Sequence, residues 1–380
     1  MSQVRVAAAL IILVLGASSG QAQPSTATLE TGFAALQRGD ADAAARVFRA
    51  ALADHPRDPS VLYGAGYAAY LQGRDEEARD LLKRAIDIEP RLLQAAMLLG
   101  EIASRIGDLD LAIKTYERVL ALAPANTAVR ARLEAWRSEA KVHSRFEAYK
   151  DDRFTIMFDG PAQQQLAARA TTTLGAAFWR ISATLGSAPA SPVTVIFYTQ
   201  QQFRDITGAP EWAAGGFDGQ IRLPLAGAAT NLADFDRVLI HELTHAMVQK
   251  IAARNVPAWL HEGLALHFEG HDAAGAGRRL ARARLLVPLR ALEQGFSRLD
   301  VKQATVAYDE SAVAADALLA RIGPQGLATL LADLDGGETI DHAVERFGFT
   351  LAAFEAELAK RLNIRPFPIS SVATPAARAD

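Results

Sequence analysis

Cysteine is absent from the 380 residues of this chain. That excludes disulfides, cysteine-ligated zinc, thiolate catalysis and a lipid-modified N-terminal cysteine. Any metal must therefore be held by the eight histidines and by carboxylates. An excess of one charge is missing too: 40 Lys and Arg stand against 43 Asp and Glu, a net charge of −3. This balance leaves no electrostatic footprint for nucleic acid. Beyond the N-terminus no apolar run reaches the roughly 20 residues that a bilayer crossing requires. What is present in quantity is apolar surface. With 50% hydrophobic and 22% charged residues, the chain can bury a full core and is not a disordered polymer. At roughly 150 residues per domain, its length predicts two or three domains.

Residues 1–22 read as an export signal. Arg5 precedes an unbroken apolar run from Val6 to Leu15, and mostly small residues follow as far as Ala22. A positive start, a short apolar stretch and small residues before a cleavage point describe a secretory signal peptide. Retention of this segment as an anchor is the alternative. With cleavage, no stable membrane span is expected.

Residues 25–126 contain a repeat. Gly32, Gly66 and Gly100 are 34 residues apart, as are Ala44, Ala78 and Ala112, then Phe48, Leu82 and Tyr116, and finally Pro56, Pro90 and Pro124. Four columns in one register define three copies of one unit. Small Gly and Ala let two helices approach closely, the large residue fills the gap beside them, and each Pro stops the second helix. Gly39-Asp40, Gly73-Arg74 and Gly107-Asp108 provide the turn between the helices. This pattern resembles the tetratricopeptide repeat, which implies an α-helical solenoid. Val129, Leu133, Trp136, Ala140 and Phe146 continue at helical spacing, so residues 127–150 are expected to form a capping and linking helix. The repeats offer a concave face for a protein partner; a rigid spacer is the other reading.

From Arg153 the periodicity changes to α+β. Phe154, Ile156 and Phe158 alternate, as do Val193, Val195 and Phe197, with a helical pattern from Pro161 to Leu185 between them. Ile221, Leu223 and Leu225 form a third alternating stretch, where Pro224 points to an edge strand. A catalytic domain is expected over 151–300 and a helical C-terminal subdomain over 301–365, broken at Gly323-Pro324, Gly336-Gly337 and Gly348. Residues 366–380 are rich in Pro, Ala and Ser and read as a disordered tail.

The chemistry is concentrated in one helix. A helical pattern from about Leu232 to Lys250, capped by Asn231 or Asp234, contains His241-Glu242-Leu243-Thr244-His245. Residues four apart share a helix face, so both imidazoles can turn to one ion. Zn²⁺ favours such ligands in sites that keep a position open. Glu242, next to the first of them, is placed to act as general base. Two core histidines on a buried helix are the plain alternative, and a third ligand decides between the readings. Glu262, 17 residues after His245 and on a new helix that begins after Pro257, can supply it. His261 is the rival for that role, with His267 and His271 behind it. The metzincin spacing is absent, because Val248 and Ile251 occupy the positions that would carry its Gly and His.

The helix with His241-Glu242-Leu243-Thr244-His245, followed by Trp259-Leu260-His261-Glu262-Gly263-Leu264-Ala265, resembles the gluzincins, in particular the peptidase MA-like bacterial metallopeptidases. The likeness extends in layout over roughly 153–362 and is specific between Gly216 and Glu269. It implies a zincin-like domain with His241, His245 and Glu262 as zinc ligands and Glu242 as catalytic base. It further implies that the stretch around Ile221 to Leu225 is an edge strand that pairs with an extended peptide. Well-studied gluzincins place an Asp one turn after the glutamate ligand, where this chain has Leu266. Glu269 is the carboxylate expected to stand in. Tyr308, expected just ahead of a helix over about 310–321, resembles a tyrosine of related sequences and is the candidate transition-state donor.

The basic stretch Arg278, Arg279, Arg282, Arg284 and Arg290 is either a solvated helix face or an attractor of acidic substrates or lipid headgroups. Together these readings describe an exported, periplasmic or secreted zinc peptidase of a bacterium. It would act on peptides or unfolded proteins, with the repeats recruiting substrate or partner. The alternative is an inactive or rarely active repeat scaffold of the bacterial cell envelope.

Overall fold

The computed structural model describes residues 24–161, 163–209, 214–225, 227–296 and 299–364. The expected signal segment and the expected tail lie outside them. Fifteen α-helices and five strands occur among the described residues. The described residues divide into two compact units, 24–147 with 200–209 and 218–220, and the remaining described residues.

The first unit is a run of helix pairs: α1 (Thr26–Gln37) with α2 (Ala41–Asp54), α3 (Pro59–Leu71) with α4 (Asp75–Ile88), and α5 (Leu93–Arg105) with α6 (Leu109–Leu122). Asp40, Asp58 and Asp108 each accept a backbone N–H at the start of the helix that follows, which satisfies a donor that the helix itself leaves unpaired. The repeat columns have a direct steric meaning. A Cβ on Gly32, Gly66 or Gly100 would run into the side chain of Phe48, Leu82 or Tyr116 respectively, the large residue of the same repeat. Each pair of helices is therefore as close as one glycine and one large side chain allow. α7 (Thr127–His143) covers the end of this stack, with Val129, Leu133 and Trp136 buried and the Trp136 ring 4.5 Å from that of Tyr116.

The capping helix is shorter than its sequence pattern predicts. It stops at His143, the Phe146 N–H donates to the His143 carbonyl to close a turn, and Glu147–Lys150 forms strand β1. All four β1 residues are exposed, so no alternation of apolar and polar residues marks this strand; pairing with its neighbour makes it.

The second unit is built on a sheet of order β1-β2-β3-β5-β4. β2 (Phe154–Phe158) leads through α8 (Gln164–Leu185) to β3 (Val193–Tyr198), parallel to it with Phe154 opposite Val193. After α9 (Gln200–Thr207), which clusters with the first unit, come β4 (Gly216–Phe217) and β5 (Ile221–Pro224). β3 and β5 are parallel, with Val195 opposite Ile221, while β4 folds back antiparallel on β5 with Phe217 opposite Ile221. The edge strand on this side is thus β4 and not the 221–225 stretch. Pro224 is tolerated because it ends β5, beyond the two residues that β4 pairs. Phe154, Ile156, Val193, Val195, Phe197, Ile221 and Leu223 pack into one core with residues of α8 and of the helices that follow.

Those helices are α10 (Leu232–Ile251), α11 (Ala258–Glu269), α12 (Ala273–Ala283), α13 (Val301–Asp335), α14 (Ile340–Glu345) and α15 (Leu351–Arg361), with a 3-10 turn at Leu289–Leu292. α13 begins earlier than expected. Asp300 caps it, accepting from the Gln303 N–H while the Gln303 side chain accepts from the Asp300 N–H. Tyr308 therefore sits inside α13 and not ahead of it. The helix kinks at Gly323 (φ 67°), followed by Pro324, as the sequence signals. No helix among the described residues is long and apolar enough to cross a membrane.

Candidate metal centre

Two helices carry the site. α10 is capped by Asn231, which accepts the Asp234 N–H at 3.1 Å. His241 and His245 lie one turn apart on α10. α11 starts behind Pro257 and brings Glu262 round from the other side. Its position is fixed by Gly263: a Cβ there would overlap the Ser311 carbonyl and the Ala315 side chain of α13, so α11 packs against α13 at glycine distance. One ligand atom from each of His241, His245 and Glu262 falls within 4.8 Å of the others. The two Nε2 atoms are 3.0 Å apart, and Glu262 Oε2 is 3.6 Å from the first and 3.5 Å from the second.

Both imidazoles are held by the nitrogen that faces away from this cluster. Nδ1 of His241 is 2.9 Å from Glu269 Oε2, a carboxylate only 3% exposed that also accepts from Arg237 at 3.2 Å. Nδ1 of His245 is 2.6 Å from Nδ1 of His261, the two rings meeting edge to edge with 4.8 Å between centroids. With Nδ1 occupied on each ring, Nε2 is the atom left to bind an ion. Two imidazole nitrogens and one carboxylate oxygen, each on a fixed helix, match the donor set of a zinc site with an open position.

The electrostatics report a site built for positive charge. Burial opposes charge on His241, but bonds from Glu262 and Glu269, with Glu242 nearby, outweigh it and push its pKa up to about 10. Burial would raise the Glu262 carboxyl, yet the two histidines hold it well below the usual carboxylate range. Glu242 is shifted upward by burial against the pull of His245 and His241, the direction useful in a group that must take up a proton. Burial above all holds His261 down to about 3. The backbone at Gly215, leading into β4, approaches Glu242 so closely that a Cβ there would lie 3.3 Å from Glu242 Oε1. The edge of the sheet therefore runs beside the candidate base.

Tyr308 stands edge-on to Phe296, with ring centroids 5.1 Å apart, and is 39% exposed. Its hydroxyl is pushed up to about 12, first by desolvation and then by the Glu262 and Glu242 carboxylates, within whose electrostatic reach it lies. It stays a protonated donor at any working pH. Of the other histidines, His267 pairs with Asp316 at 2.6 Å, and His271 is 4.0 Å from both Glu269 and Asp309. Neither joins the converging set. His261, the rival third ligand, faces the back of His245 and not the ligand cluster. In the basic stretch, Arg278 pairs with Asp272, Arg279 with Asp309 and Arg290 with Asp341. Arg237 as the anchor of Glu269 had no signal in the sequence, since it depends on how α10 and α11 cross.

A family model described as Peptidase MA superfamily matches residues 173–363, half of the chain. Two models described as Tetratricopeptide repeat match residues 29–92 and 93–126. Among curated proteins, "Cellulose synthase 2 operon protein C" of Komagataeibacter xylinus is 32% identical over 119 residues, covering 31% of this chain and 9% of that protein. "Protein CTR9 homolog" of Arabidopsis thaliana is 32% identical over 105 residues, covering 27% of this chain and 10% of that one. The alignments thus span about a tenth of the length of these relatives. Among solved structures, PcrH in complex with the chaperone binding region of PopD is 24% identical, with a TM-score of 0.28, covering 30% of this chain and 91% of that one.

Proposed function

Given that the chain belongs to the Peptidase MA superfamily, we propose that it is an exported zinc-dependent peptidase, periplasmic or secreted, that hydrolyses peptide bonds in peptides or unfolded proteins. The observation that carries this reading is the convergence of His241, His245 and Glu262 within 4.8 Å, with Glu242 beside them on the same helix. A zinc ion held there by Nε2 of both histidines and by the Glu262 carboxylate would supply Lewis acidity to a peptide carbonyl and lower the pKa of water.

The remaining work belongs to the chain's own residues. Glu242, its proton affinity raised by burial, accepts a proton from the attacking water at its carboxylate and passes it to the departing amine. Tyr308 donates its hydroxyl proton as a hydrogen bond to the oxygen on which negative charge grows. Glu269 and His261 hold the two imidazoles in place. An extended substrate would add to the outer edge of β4, the last strand of the sheet, through backbone hydrogen bonds, which select an extended backbone and not a particular sequence. Selectivity would then come from partners or substrates recruited by the repeats, whose stacked helix pairs are the kind of surface that binds other proteins.

The test is hydrolysis of a quenched unfolded protein by the purified chain, before chelation, after it and after zinc is restored. Cleavage that disappears with chelator and returns with zinc supports the peptidase. Zinc bound in full with no cleavage points instead to an inactive scaffold.

A further inference from the structure

α11 does more for His245 than deliver Glu262. Successive residues on a helix point about 100° apart, so His261 and Glu262 leave α11 in different directions, and they meet His245 at opposite edges of its ring. Glu262 Oε2 lies 3.5 Å from Nε2, and His261 Nδ1 lies 2.6 Å from Nδ1. The distance between the two Nδ1 atoms admits one proton, carried by one ring and accepted by the other. Which ring carries it is settled by ligation. If His261 donated, His245 would hold its own proton on Nε2 and could not bind a cation there. His245 must therefore donate from Nδ1, and His261 must accept with its Nδ1 lone pair and keep its proton on Nε2.

We infer that His261 is a positioning residue of the metal site: a neutral imidazole acceptor that locks His245 in the tautomer and orientation whose Nε2 faces the ion. This rests on the peptidase reading above. The two ligand histidines then have different supports. His241 is backed by the Glu269 carboxylate at 2.9 Å, whereas His245 is backed by a group without charge. An uncharged support fixes the ring without adding a third carboxylate to Glu262 and Glu269 close to the base Glu242. The two rings meet edge to edge, with 26° between their planes, so the Nδ1 lone pair of His261 lies close to the plane of the His245 ring, where an N–H from Nδ1 points.

Two substitutions and one spectrum test this. His261→Phe keeps a flat ring and removes the acceptor; His261→Asn keeps an acceptor, with its carbonyl oxygen near where Nδ1 now lies. Zinc affinity is read by competition with a chromophoric chelator, and ligand geometry by the visible absorption of Co²⁺ in the same site. His261→Phe is expected to weaken zinc about 10- to 100-fold, the usual effect of losing such a support, and to alter the Co²⁺ bands. His261→Asn is expected to hold zinc within about threefold of wild type on the same argument. Equal losses in both variants, or none in either, overturn the proposal. Should the Phe variant not fold, the zinc-loaded wild-type protein labelled with ¹⁵N-histidine decides: a scalar coupling between the two Nδ1 atoms is expected, and its absence overturns the proposal. Failure of the wild-type protein to bind zinc would instead bring down the peptidase reading itself, a separate outcome.

Discussion

Glu269 Oε2 sits 2.9 Å from Nδ1 of His241, two helical turns beyond the carboxylate that approaches the other side of the same ring. One helix thus supplies both the oxygen that joins the candidate metal cluster and the buried carboxylate behind His241. Removing the charge by Glu269→Gln leaves the size unchanged and takes away the anion that raises the basicity of His241. Zinc affinity is expected to fall about 10- to 100-fold, measured by chelator competition. An unchanged affinity would show that the contact does not tune the site.

Glu242 points to a different outcome. Glu242→Gln is expected to keep zinc at the wild-type level and lower kcat by at least about 10²- to 10⁴-fold, the range for loss of a general base. Metal analysis and peptide hydrolysis on the same sample check both halves. Hydrolysis at the wild-type rate would remove Glu242 from the reaction.

Tyr308→Phe removes one hydrogen-bond donor and nothing else. If the hydroxyl serves only the transition state, kcat falls about 10²- to 10³-fold while zinc content stays unchanged. Loss of less than a factor of three would assign the tyrosine to packing against Phe296.

The legible and illegible parts of this chain separate along physical lines. The repeat glycines could be read because each has one fixed partner sixteen residues on, so geometry is written into the sequence as a spacing. The candidate site could be read for the same reason: His241 and His245 are a helical turn apart, and Pro257 marks the start of the helix that carries Glu262. Glu269 was expected behind a ligand, and the structure places it against His241. What failed to show was whatever depends on pairing between distant segments. β1 has no buried face to give it an alternating pattern, so in sequence its four residues continue the helical spacing of α7. β4 is two residues long, too short to carry an alternating pattern, so the sequence shows β5 as the last strand although β4 lies outside it. Tyr308 falls inside α13 because Asp300 and Gln303 form a capping box eight residues ahead of it, where an Asp-x-x-Gln spacing is a weak signal beside the apolar run that follows.

Glu310, two residues after Tyr308, gives a pH prediction that is independent of catalysis. Its carboxylate is 4% exposed and accepts the Val287 N–H at 2.7 Å. Burial pushes its pKa up to about 8, with Glu355 adding to the shift against the pull of that hydrogen bond. The folded protein therefore holds this proton more tightly than the unfolded chain. The stability so gained is complete below about pH 4.5, the ordinary carboxylate range, and is lost as pH rises to about 8. In chelator, wild-type stability is expected to fall by roughly 2–5 kcal/mol between about pH 5 and pH 9 on account of this group. Glu310→Gln, which keeps an acceptor for Val287, should remove most of that slope in denaturant titrations. A slope equal to that of wild type would contradict the shift.

In the repeats, Gly100→Ala is expected to destabilise the protein by about 1–3 kcal/mol, because the added methyl meets the Tyr116 ring in a packed interior. Thermal or denaturant unfolding measures it. A neutral effect would mean that α5 and α6 are less tightly joined than the glycine column indicates.

The central claim is that two imidazoles of α10 and one carboxylate of α11 hold a single divalent cation. Elemental analysis of the purified chain beside its Glu262→Ala variant tests it most directly, after both have been dialysed against the same trace of zinc. The account predicts one zinc per chain in the wild-type protein and little in the variant. Equal metal in both, or none in either, would contradict it.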